Sequence, residues 1–303
     1  MNQEQARWSG KSKGTPLGYL IFITVIRRIG VRAAYLMLVF VAPWYLLTSP
    51  ASNKAIKTYA RHLRSRFPDA QRVTPLASYM AFGRSLVDKF AIQAGLSHRY
   101  QWSEHGKEHL QALMASGKGG ILIGAHIGNW DLAGHVLSGF PGKMTVVLLS
   151  AEYERIQQVM ERNRTTSAFN TIQLSQDLSH VFKMSDALRE GHLLCMHGDR
   201  SLPGARTRRI PFLGKEADFP VGPFALAMAH KVPICISFVV NSGNMRYWFT
   251  STPPIHPEES IEALMERYVA ELEEVVRKHP LQWFNYFDFW AHGNDPGERR
   301  RGA

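Results

Sequence analysis

His126 and Asp131 are the two residues of this 303-residue chain whose types and spacing most directly suggest chemistry; they lie in Gly124-Ala-His-Ile-Gly-Asn-Trp-Asp131. An imidazole can take a proton from a hydroxyl or amine while a nearby carboxylate fixes its tautomer and stabilises the imidazolium. That chemistry is general-base activation of an acceptor, and it needs no side-chain nucleophile. A structural histidine beside an acid at a helix start would show the same spacing, so the setting has to decide. On one continuous helix the two side chains would point about 140° apart. A loop that bends at Gly128 is therefore required for them to touch.

The flanking sequence supplies such a loop. Residues 121–123 are an apolar β-branched run between glycines, which reads as a buried parallel strand ending in a functional turn. His126 then falls just beyond the C-terminal end of a strand, the edge at which open α/β sheets bind ligands. Asn129 is the expected N-cap of a helix through residue 133, with Asp131 in its first turn. Further along, residues 144–149, 171–174, 193–196 and 234–240 read as strands, and 152–164, 178–189 and 224–230 as helices. This alternation predicts an α/β fold with a mainly parallel sheet flanked by helices. Residues 53–96 read as helical, interrupted at Pro68 and Pro75. Ile261, Leu264, Met265, Tyr268, Val269, Leu272, Val275 and Val276 form a core-facing helical stripe after Glu258 and Glu259.

A helix is also expected over 104–116. It contains His105-Gly-Lys-Glu108-His109, the pattern of inverted zinc peptidases, but the sequence shows no third ligand. A solvated helix face is the reading adopted, and neither metal nor cofactor is called. Cys195 and Cys235 sit in apolar strand-like runs and are expected to be reduced core thiols. The formal charge of +11 and pI near 9.8 call for an anionic partner. Lys11, Lys13, Arg27, Arg28, Arg32 and Arg299 to Arg301 carry much of the excess. Residues 17–47 are largely apolar, and 33–47 carry no charge, short of the roughly 20 residues that span a bilayer comfortably. We read an N-terminal hydrophobic helical segment associating with the membrane over 1–50, a catalytic domain over 51–295 and a basic tail over 296–303. Basic residues beside Tyr35, Trp44 and Tyr45 favour the membrane interface.

A second block carries Asp199, Arg200, Arg206, Arg208 and Arg209, then Ile210-Pro-Phe-Leu-Gly214-Lys and a Gly222-Pro223 helix start. An arginine-rich strand-end loop of this kind suits a phosphate or a developing oxyanion. Asn129, Asp199, Arg200, Arg206, Arg208, Arg209 and Gly214 are therefore candidate substrate contacts.

These two blocks, with the late His279-Pro-Leu-Gln-Trp283, resemble the lipid A biosynthesis acyltransferases, within the wider glycerophospholipid and lysophospholipid acyltransferases. The resemblance runs from the N-terminal apolar segment to about Trp290. It implies a membrane-attached enzyme that moves a fatty acyl chain from acyl-carrier protein or acyl-CoA to a lipid or glycolipid acceptor. It further implies His126 as base with Asp131 as partner, and residence at the inner membrane facing the cytoplasm. The chain departs from the family in having Asp131 where the lipid A enzymes often have Glu, and Leu149-Ser-Ala-Glu152 where a proline commonly follows the second strand. Two other functions fit parts of the sequence. A lipid esterase or thioesterase would use water as acceptor, though no G-x-S-x-G nucleophile elbow occurs. A basic peripheral membrane or nucleic-acid-binding protein would leave His126 and Asp131 unused, and no nucleic-acid partner is expected.

Overall fold

The computed structural model describes residues 16–137, 143–149, 169–175, 179–201, 204–257 and 260–291, and elements are numbered in chain order over these. The helix expected at 152–164, the 149–152 departure beyond Leu149, Lys11, Lys13, Glu258, Glu259 and the basic tail lie outside them. Seven strands form the main sheet in the order β1-β9-β8-β2-β5-β3-β4. They are β1 (Gln101–His105), β2 (Gly120–Gly124), β3 (Met144–Leu149), β4 (Asn170–Leu174), β5 (Leu193–His197), β8 (Ile234–Gly243) and β9 (Arg246–Ser251). All neighbours are parallel except β8 and β9.

β2 lies at the centre and has both faces covered, which is why it reads as an unbroken apolar run rather than an alternation. Ile121 and Ile123 face one layer, with α9 (Ile261–Lys278) and α8 (Gly222–His230); Leu122 faces the other, with α2 (Val31–Thr48), α4 (Pro75–Ala91) and α5 (Lys107–Ala115). The stripe on α9 is buried as its period predicts, and Ser260 caps the helix by accepting from the Ala263 N–H at 3.2 Å. Cys195 and Cys235 are free thiols on strands flanking β2, and burial pushes both up to about 12.

Two expectations are corrected. The helix expected at 104–116 begins only at Lys107, because His105 ends β1 and Gly106 turns the chain with φ +77. A Cβ at Gly106 would lie 2.0 Å from the Ser251 carbonyl oxygen, so this corner accepts only glycine and splits the His-x-x-Glu-His pattern between two elements. The arginine-rich loop is instead an antiparallel hairpin of β6 (Thr207–Phe212) and β7 (Lys215–Pro220). Leu213 and Gly214 form its two-residue turn, both at positive φ, the geometry that matches strand twist.

At the N-terminus, α1 (Pro16–Arg28) and α2 form two helices broken at Gly30. Val31, Ala34, Leu38 and Ala42 make a buried stripe on α2, and Leu38 reaches α4 where Gly83 leaves room for it. Phe40, Trp44 and Leu47 point outward at 77%, 65% and 80% exposure, so α2 is apolar on both its faces. Among the described residues it is the one helix long and apolar enough to cross a membrane. A third helix, α3 (Pro50–Arg66), follows at once and carries Arg61, Arg64 and Arg66.

Leu38→Ala should cost about 2–5 kcal/mol, the range for emptying a packed leucine site, whereas Phe40→Ala should cost less than about 0.5 kcal/mol. Urea unfolding of the two variants in detergent checks this, and equal losses would refute the two-faced assignment.

Candidate active site

Strand register brings the site together. Gly124 on β2 is paired with His197 on β5, so the residues two further along each strand, His126 and Asp199, emerge side by side at the C-terminal sheet edge. The Gly198 N–H still donates to the Gly124 carbonyl at 2.9 Å, prolonging the pairing past the strand ends. One Asp199 oxygen accepts from the His126 backbone N–H at 2.9 Å and the other pairs with His126 Nδ1 at 2.7 Å. Both residues are buried. The carboxylate bonded to the imidazole is therefore Asp199, and this corrects the expected contact with Asp131.

Asp131 does sit in the first turn after the loop, but its carboxylate meets Lys89 Nζ of α4 at 2.8 Å. Asn129 occupies the N-cap position of that turn, and its carbonyl accepts from the Leu132 N–H at 2.9 Å, but its side chain makes no capping bond. Its side-chain amide donates instead to the Ser85 carbonyl at 2.8 Å and the Tyr247 hydroxyl at 3.3 Å. The turn itself is a short 3-10 segment, Trp130–Leu132, running into α6 (Ala133–Leu137).

The loop is clamped on two sides. Asn129 N–H donates to the Val239 carbonyl on β8 at 2.7 Å, while Gly128 N–H donates to the Gln282 carbonyl at 2.9 Å and Phe284 N–H to the His126 carbonyl at 3.0 Å. A Cβ on Gly128 would come within 2.0 Å of the Val239 oxygen, so the close approach depends on glycine. Gln282 is fixed in turn: its side chain accepts from the Asn241 N–H at 2.8 Å and donates to the Asn241 carbonyl at 2.7 Å. The Gln282-Trp283 element, only a supporting motif in the sequence, is thus the far wall of the site.

The other candidates divide into two places. Arg200 stands at the site, donating to the Phe284 carbonyl at 2.8 Å with its guanidinium 5.6 Å from the Phe287 ring. Arg208 and Arg209 lie on the β6–β7 hairpin, where Arg208 pairs with Glu262 and Arg209 lies 3.7 Å from Asp218. Arg206 immediately precedes β6, and Gly214 is the hairpin turn.

Burial works against an ionised Asp199, yet the positive charge available at His126, the hydrogen bond from it and Arg200 together outweigh burial and hold the carboxyl well below the usual range. His197 sits edge-on to the His126 ring with centroids 4.4 Å apart; burial first, and the His126 charge second, push it down to about 3. It stays neutral beside His126. Outward from His126 the rings of Trp130, Phe284, Phe82, Tyr286, Tyr79 and Tyr45 follow one another at 5.0 to 6.3 Å, ending on α2. Ser85, Lys89, Tyr247 and Phe284, with Asp88 behind Tyr247, are not legible from local pattern because each comes from a distant segment. The lone acid of α4, at a buried helical position beside Val87 and Ala91, was the one available signal.

A parallel α/β sheet with a buried His–Asp pair at its ligand edge and an aromatic row leading to an apolar helix defines a site suited to activating an acceptor for an apolar substrate. Residues 14–290 match the bacterial lipid A biosynthesis acyltransferases, and the chain belongs to that family. It is 27% identical over 244 residues to a phosphatidylinositol mannoside acyltransferase of Mycobacterium tuberculosis, covering 77% of this chain and 75% of that protein. A protein of the same description from Mycolicibacterium smegmatis is 25% identical over 221 residues, covering 71% of each chain. The protein is an acyltransferase of lipid or glycolipid biosynthesis.

Because folded His197 binds its proton only near pH 3 while the unfolded residue does so near about 6.5, the unfolded state holds the extra proton between those values. Its contribution to stability is present above that window and is lost as pH falls through it. Urea unfolding from pH 7 to 4 should show a shallower loss in His197→Phe than in the wild type. An unchanged slope would show that the folded ring titrates freely.

Proposed function

We propose that the protein transfers a fatty acyl group from an acyl thioester to a hydroxyl of a glycolipid, with His126 as general base and Asp199 as the carboxylate that orients it. The observation that carries this reading is the double engagement of His126 by Asp199, which fixes Nδ1 as the inward nitrogen and leaves Nε2 as the one to receive the acceptor proton. The acceptor oxygen then attacks the thioester carbonyl; as the tetrahedral intermediate collapses, the thiolate leaves and takes up the proton held by His126. Arg200 supplies positive charge beside the developing oxyanion. Asp131 acts on the loop through Lys89 rather than on the imidazole, and Asn129 holds the loop to α4.

The aromatic row between Trp130 and Tyr45 suits an acyl chain arriving from the apolar face of α2, and that face, with Arg27, Arg28 and Arg32 near it, rests on the membrane. We assign the enzyme to the inner membrane with its site toward the cytoplasm. A mannosylated phosphoinositide is the first acceptor to test, since the mycobacterial relatives are described by it; a lipid A precursor is the second. Acyl-carrier protein is the favoured donor, docking on the edge formed by Arg206, Arg208 and Arg209. Glu262 faces both Arg206 and Arg208, and Arg209 lies beside Asp218, so this edge sets three arginines against two acids.

Labelled acyl-carrier protein and acyl-CoA should be offered with each acceptor class. A new acylated glycolipid supports the assignment, and release of free fatty acid alone would overturn it. His126→Ala and Asp199→Asn should each lower kcat by about 10²- to 10⁴-fold, and Asp131→Asn by no more than about tenfold. If Asp131→Asn proves as damaging as Asp199→Asn, the partner has been misassigned. Arg206→Glu with Arg208→Glu should lower kcat/KM for the carrier protein and flatten its salt dependence, with acyl-CoA less affected. Unchanged efficiency toward the carrier protein would remove the docking edge.

A further inference from the structure

Asp88 is fully buried on α4, and its carboxylate is surrounded by neutral donors. Tyr35 of α2 and Tyr100, at 2.8 Å, donate to one oxygen; Tyr247 of β9 and the Asn241 side-chain amide, at 3.3 Å, donate to the other. It forms no ion pair among the described residues. A buried carboxylate held only by neutral donors is a poor stabiliser compared with apolar packing, since desolvation opposes its charge. Its place in the fold is better explained by geometry.

The geometry leads to the catalytic loop. A carboxylate only accepts, so the Tyr247 hydroxyl must aim its single proton at Asp88 and offer a lone pair on its other side. That lone pair accepts from the Asn129 amide, whose second donor bond goes to Ser85, one turn before Asp88. Ser85 Oγ also donates to the Gly128 carbonyl at 3.2 Å, and Lys89 takes Asp131. Residues 85–89 of α4 therefore hold positions 128, 129 and 131, three of the five residues that follow His126.

We propose that Asp88 is a positioning residue for acyl transfer: by fixing the direction of the Tyr247 hydroxyl proton it fixes the Asn129 amide, and through it the loop that presents His126. The same carboxylate ties Tyr35, so α2 and the catalytic loop are pinned to one point. This rests on the acyl-transfer reading for its kinetic consequence but not for its structural one.

The test compares Tyr247→Phe, Asp88→Asn and Tyr100→Phe in the full chain. Tyr100→Phe deletes a hydroxyl from the same carboxylate but breaks no link to Asn129. In the first two variants kcat should fall about tenfold, with the KM for the thioester and the pH profile unchanged, because the His126–Asp199 pair is intact; Tyr100→Phe should stay within about twofold. Backbone hydrogen exchange over residues 127–131, read without substrate, should quicken in the first two only. Equal kinetic losses in both tyrosine variants, or a Tyr247→Phe protein with normal kcat and normal protection, would overturn the proposal. If the wild type transfers no acyl group, the functional reading fails, and the exchange comparison alone decides the positioning claim. Should Asp88→Asn not fold, Tyr247→Phe carries the test.

Discussion

Asp199 commits both carboxylate oxygens to one residue, the backbone amide and ring of His126, and it can do so only where β2 and β5 are neighbours in register. A one-residue slip between these strands would point every side chain of the slipped strand to the opposite face. The all-apolar character of β2, the two covering layers and the tight turn at Gly128 all serve that alignment. Burial of the pair raises the energetic importance of its geometry: in a low-dielectric setting a well-made charged hydrogen bond gains strength and a badly made one leaves a costly orphan.

Neutral neighbours complete the arrangement. His197 places an uncharged ring against His126, so no second imidazolium competes for Asp199. The Gln282–Phe284 segment closes the opposite side with backbone hydrogen bonds, which do not titrate. On the proposed reading, proton transfer is concentrated on one pair, with Arg200 as a fixed charge beside it.

Much of this was legible in the sequence, and the failures share one cause. The parallel sheet, the loop histidine at its edge and the core face of α9 follow from local periodicity, which reports what a segment buries. Spacing favours Asp131, five residues away, as the partner, whereas the carboxylate bonded to the ring is 73 positions distant and set by strand pairing that no local pattern records. The β6–β7 hairpin reads as a loop in the sequence because its outward arginines hide the alternation of Ile210 and Phe212, although Leu213-Gly214 between the two strands is a compact turn. Asp199 is visible in its own block but its pairing with His126 is not, and the same holds for the partners of Asp88 and Tyr247, which come from elsewhere in the fold.

The two faces of α2 answer to different rules. Its inner stripe must fit the hollow over Gly83 and bring Tyr35 to Asp88, so each inner position has a required shape. Its outer stripe needs only to be apolar, and one large aliphatic or aromatic residue will serve there as well as another. Substitutions should therefore accumulate at two rates along a single helix, slow on one side and fast on the other. A comparison of descendants would show a conserved thread winding through what looks, by overall identity, like an unconstrained greasy segment.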